Sequence, residues 1–100
     1  MFLGFVEIES AIPIVVLAKN GNAPVALDAA PTFRIYGPSG LMANGTGTLP
    51  VYDGTVTGLY GAAFTPSAVN GFASGQTYTV LVRGTISAAA WGVSGTFIVC

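Results

Sequence analysis

The chain has no histidine, a single cysteine, and in 100 residues only three Lys or Arg and four Asp or Glu. Without histidine neither a Ser-His-Asp nor a Cys-His arrangement can be assembled, and the commonest general base is missing. Metal centres built on Cys and His are excluded by the same counts. Cys100 has no partner for an internal disulfide, so it reads as an exposed thiol or a partner contact rather than a reactive centre. Three cations do not make the basic patch that a phosphate backbone requires, which excludes nucleic acid as a partner. Long apolar runs are also lacking. Ile12–Ala18 is the longest, it contains Pro13, and it falls far short of the roughly 20 residues of a membrane-spanning helix. An outer-membrane barrel needs about eight strands of nine or more residues, more than this length supplies comfortably. Met1–Ser10 has no basic region, and Glu7 and Glu9 interrupt its apolar character, so it does not read as a secretory signal and synthesis in the cytoplasm is expected.

What is present is apolar. Hydrophobic residues make up 52% of the chain and mean hydropathy is +0.71, while charged residues are 7%, against about 25% in an average soluble domain. Disordered chains show the opposite balance. The length is that of one domain, 1–100, with residues 1–10 as an N-terminal arm or edge strand whose Phe2, Leu3 and Phe5 need a docking surface. With a net charge of −1 the free monomer has little electrostatic protection against association, so much of its surface is expected to face protein rather than water. The alternative is a soluble monomer coated with Thr, Ser, Asn, Gly and Ala.

Period-2 alternation organises the sequence. In Thr77–Arg83, Tyr78, Val80 and Val82 share one side, while Thr77, Thr79 and Arg83 share the other, as in a half-buried antiparallel strand. Tyr60, Ala62 and Phe64 share a face in Gly58–Thr65, and Pro66–Gly71 leaves room for one helical turn. These two strands are expected to be neighbours. Ile12–Ala18, apolar on both faces, reads as a central or doubly covered strand. Thr32–Tyr36 alternates cleanly; Leu41–Leu49 reads as an edge strand or loop; Val25–Asp28 and Val51–Thr57 read as extended pieces, the latter with an Asp53-Gly54 turn or bulge. The closing Trp91–Val99 alternates again and is expected to pair antiparallel with 77–83. About seven to eight short strands argue an all-β fold, a single antiparallel β-sandwich of immunoglobulin-like size.

Candidate chemistry is sparse. Glu7 and Glu9, two apart on a strand, would share a face suited to calcium or to acid/base work, but a polar strand edge accounts for them equally. Ser39 and Ser94 lie between turn and strand residues with no base, and Asn44-Gly45-Thr46-Gly47 lacks the lysine and helix of a phosphate loop. The aromatics Phe33, Tyr60, Phe64, Phe72, Tyr78 and Phe97 read as core rather than as a sugar platform. Trp91, beside three alanines and Gly92 at an expected turn, reads as partly exposed or interfacial. Arg34 and Arg83 lie on polar strand faces, placed for cross-strand pairs with acids or for bridges to another subunit. No catalytic, cofactor-binding or metal residue is assigned.

At Gly58-Leu59-Tyr60, Phe64-Thr65-Pro66-Ser67, Asn70-Gly71-Phe72 and Gly75-Gln76-Thr77-Tyr78 the sequence resembles small β-sandwich structural proteins of tailed bacteriophage virions. Met1-Phe2-Leu3-Gly4-Phe5 and Pro31-Thr32-Phe33-Arg34-Ile35-Tyr36 are similar to that group too, so the likeness spans most of the chain. The resemblance implies a non-enzymatic virion component: a capsid cement or decoration protein, or a tail or baseplate module for adhesion or glycan binding. Ending at Val99-Cys100, with no appended fibre or receptor-binding domain, favours the capsid exterior. On that reading the partners are the major capsid protein or other virion proteins, together with other copies of the chain. No membrane and no small-molecule substrate is involved, and Phe2, Leu3, Phe5 and Trp91 are the candidate anchors.

Overall fold

The computed structural model describes residues 2–100, and the side chains of all of these except 2, 3 and 43. Nine strands follow one another: β1 (Phe2–Val6), β2 (Ile12–Leu17), β3 (Lys19–Asn20), β4 (Ala23–Pro24), β5 (Thr32–Gly37), β6 (Gly40–Thr48), β7 (Leu59–Phe64), β8 (Thr77–Ile86) and β9 (Ala89–Val99). A single 3-10 turn, Ala68–Asn70, is the one helical piece among the described residues. The fold is all-β and divides into a five-stranded sheet in the order β1-β9-β8-β5-β6, a two-stranded sheet β2-β7 and a small ribbon β3-β4. The Cα radius of gyration is 13.8 Å, near the roughly 13 Å of a compact chain of this length.

Alternation decides which side of each strand faces inward. Tyr78, Val80 and Val82 of β8 are buried, as are Phe97 and Val99 of β9 and Ile12, Ile14 and Val16 of β2. Val80, Val82, Val93 and Gly95 of the larger sheet line a small crevice with Ile14 and Val16 of the smaller one, so the two sheets share one core. An aromatic chain runs through it: Phe33 meets Phe64 edge to face at 6.1 Å, Phe64 meets Phe72 at 5.4 Å, Phe72 meets Tyr78 at 4.8 Å, and Tyr78 stacks on Phe97 at 5.6 Å. Two tyrosines bury their rings and use their hydroxyls as acceptors: Leu27 N–H donates to Tyr60 at 3.0 Å, and Ala73 N–H donates to Tyr78 at 2.8 Å.

Several expectations are met and several corrected. β8 and β9 form a long antiparallel hairpin, 66–71 holds the helical turn, and Gly40–Thr48 is an edge strand. Strands 58–65 and 77–83, expected as neighbours, are not paired in one sheet: β7 pairs with β2, and β8 lies in the other sheet between β5 and β9. Their inward faces meet through Phe64, Phe72 and Tyr78, so the two strands face one another across the core instead of sharing hydrogen bonds. β2 is not central; it is an edge, with Pro13, Val15 and Leu17 turned away from the core. The expected Asp53-Gly54 turn is present, with Val56 N–H donating to Asp53 O at 3.1 Å; residues 51–57 are otherwise joined to β7 by one bridge, Val51 to Tyr60, and Val25–Asp28 joins no ladder. In β6 the register slips between the Arg34 and Tyr36 pairings, so 42–45 bulge, and Asn44 Nδ2 donates to Asn70 Oδ1 at 3.2 Å.

Candidate interaction surfaces

Phe5 occupies the outer face of the five-stranded sheet beside Ile98 and is 68% exposed. Trp91 is half-buried and packs against the core from β9, opposite Gly84 of β8 rather than at a turn. The side chains of Phe2 and Leu3 lie outside the described residues; their backbone belongs to β1. Phe5 and Trp91 therefore stand on opposite faces of one sheet: Val6, next to Phe5, is buried on the side from which Trp91 packs.

The outer face of this sheet is mixed. Thr77 and Ile98 sit with Phe5 in one row, and Tyr36 with Thr79, Thr96 and Leu41 in the next. The cross-strand neighbours of Arg34 are Leu81 and Thr46, and those of Arg83 are Thr32 and Gly92, so neither arginine faces an acid across the sheet. Other large apolar side chains are exposed elsewhere: Val69, 93% exposed on the 3-10 turn, and Val51 and Tyr52 on the segment before β7. That segment joins the smaller sheet through Tyr52 N–H to Leu59 O at 3.0 Å and Gly61 N–H to Pro50 O at 2.9 Å. Tyr52 and Val15 lean over Gly61, where an added Cβ would lie 2.9 Å from each.

Three of the four acidic residues, Glu9, Asp28 and Asp53, have structural partners. β1 ends at Val6, and Glu9 sits beyond it in a left-handed conformation, φ 70°, so Glu7 and Glu9 do not form the strand pair expected of them. The Glu9 carboxylate instead accepts from Ser67 Oγ at 3.2 Å and from Ala68 N–H at 3.0 Å, clipping the β1–β2 connection to the start of the 3-10 turn. Asp28 accepts from the N–H groups of Ser87 and Ala88 at 3.0 and 2.8 Å, and these bonds, Ala88 first, hold its carboxyl below the usual carboxylate range. Asp53 is lowered likewise by the N–H and hydroxyl of Thr55. Among the described residues no three metal-binding side chains cluster, and no polar or charged residue is buried. The sequence could not have revealed the roles of Glu9 and Asp28, because each acts on backbone about 59 residues away.

Several shallow grooves of about 270–420 Å³ mark the surface, and one of them lies between the two sheets. That one, of about 370 Å³, is lined by Val15, Val16 and Leu17 of β2 and by Val93 and Ser94 of β9. No protein-family model, curated protein or solved structure matches this chain.

Proposed function

We propose that the sheets form a single β-sandwich of immunoglobulin-like size acting as a non-enzymatic structural protein of a phage virion, a cement that binds and stabilises the capsid shell. The observation that carries this reading is the surface. A chain with 7% charged residues fills its core with aliphatic and aromatic side chains and still exposes Phe5, Val51, Tyr52 and Val69. Obligate interfaces are large and apolar, and they replace the solvent that such a surface would otherwise meet. Phe5 is the anchor this reading places against a neighbouring subunit, together with Phe2, Leu3 and Trp91. The aromatics that a glycan-binding module would display, Phe33, Phe72, Tyr78 and Phe97, are instead buried in the core, which favours the shell over a tail adhesin.

The test is to prepare particles with and without the protein and follow DNA release on heating. Cementing lowers the release temperature of the depleted particles and restores it when purified protein is added back. An unchanged release temperature overturns the reading, and saturable binding of the isolated protein to host-surface glycans replaces it with the adhesive one.

A further inference from the structure

We infer that β2 is a self-pairing edge, through which two copies of this chain join in antiparallel register about a twofold axis at Val15. Strand β7 uses Leu59 and Gly61 to bond the 50–52 segment, so its groups at Tyr60, Ala62 and Phe64 point towards β2. The bonded partners in β2 are then Val16, Ile14 and Ile12, and the backbone groups of Pro13, Val15 and Leu17 point away from the sheet. Among the described residues no hydrogen bond beyond the β2-β7 ladder engages these outward groups. Between residues 11 and 18 there is no charged side chain, one of the devices by which natural edges repel one another, and the other such device present, Pro13, blocks only one position of the edge.

The occupant is set by complementarity. About a dyad at Val15, the two Val15 residues exchange both of their N–H to carbonyl bonds, and the Leu17 N–H of each copy meets the Pro13 carbonyl of the other. Proline, which has no N–H to give, falls at the outer end of the ladder, where its loss is one bond per copy. The charges agree. Glu7 and Glu9 precede β2 and Lys19 follows it, so antiparallel pairing brings the cation of one copy towards the acids of the other, whereas parallel pairing sets like beside like. The product is a continuous four-stranded β7-β2-β2-β7 sheet, so the smaller sheet, marginal as two strands, doubles in breadth. This inference stands on the strand edge alone and is independent of what the protein assembles onto.

Sedimentation of the full-length protein is the test. The wild type is expected to run as a dimer, and Val15→Pro and Val15→Lys as monomers with unchanged far-UV spectra. The first removes the central donor at a position whose N–H the fold does not use, and the second sets two like charges face to face. Should either variant misfold, cross-linking decides: in a Cys100→Ser background, Val15→Cys is expected to oxidise to a covalent dimer far faster than Ala63→Cys on the same face. A bonded antiparallel pair holds its Cα atoms about 5.5 Å apart, within disulfide range. A wild type that stays monomeric at every concentration, a dimer indifferent to both Val15 substitutions, or equal oxidation at 15 and 63 overturns the inference.

Discussion

Asp28 holds one of the tight two-residue reversals of the chain in place. The β8-β9 hairpin turns through Ser87 and Ala88, both with positive φ, 48° and 66°, a conformation that normally calls for Asn-Gly. The two N–H groups of this turn are the donors that depress the Asp28 carboxyl. Ala88→Gly is expected to stabilise the protein by about 0.5–1 kcal/mol in urea unfolding, because it relieves left-handed strain worth more than the added freedom of the unfolded chain. Since the folded carboxyl titrates below its unfolded value, its contribution is full above the unfolded value and is lost as pH falls through the folded one. Asp28→Asn is therefore expected to flatten the acid limb of a stability-versus-pH curve while leaving its alkaline limb unchanged. The tyrosine hydroxyls separate by burial. Tyr60→Phe strands the Leu27 N–H in a buried site and is expected to cost about 1–3 kcal/mol, whereas Ala73 is exposed, so Tyr78→Phe costs about 1 kcal/mol or less. Both differences are read from denaturant midpoints.

At the scale of strands, the sequence carries faces better than neighbours. The alternations of β5, β8 and the second half of β9 are visible in the residues, because burial on one side imposes period 2 directly. Which sheet a strand joins is not written in its own residues. β7 and β8 both alternate and follow one another in sequence, yet the 65–76 connection, with Pro66 and the 3-10 turn, carries the chain from one sheet to the other. β2 misleads for a related reason: its outward Pro13, Val15 and Leu17 are as apolar as its inward row, so composition suggests cover on both sides where there is an edge. Beside it, Gly58 is buried with φ 83°, and a Cβ there would meet Val25 O at 2.5 Å and Ala18 O at 2.8 Å. Gly58 also accepts from Ala18 N–H at 2.8 Å, so the end of β2, the start of β7 and the β4 connection converge on it. Gly58→Ala is expected to cost about 3 kcal/mol, read as a fall in thermal midpoint, since both the dihedral and the backbone contact oppose it.

For the whole molecule, the scarcity of charge was fully legible, but the positions of the apolar side chains left outside were not. Phe5 was recognisable from the crowding of aromatics near it, while Val69 and Tyr52 are exposed only because a turn and an irregular segment place them there. With so few ions, association of this protein is expected to change little between low and high salt, in contrast to charge-steered complexes, and light scattering across a salt series measures it. β1 runs parallel to β9, with Phe5 beside Ile98 and Val6 beside Val99, and the Cys100 N–H is bonded to Val6 O at 2.8 Å. Pulling the two ends of the chain apart would thus drag these strands past each other lengthwise, loading all the bonds between them together rather than peeling them one at a time. The geometry makes the body stiff along the axis of that pull, a mechanical clamp between its first and last strands.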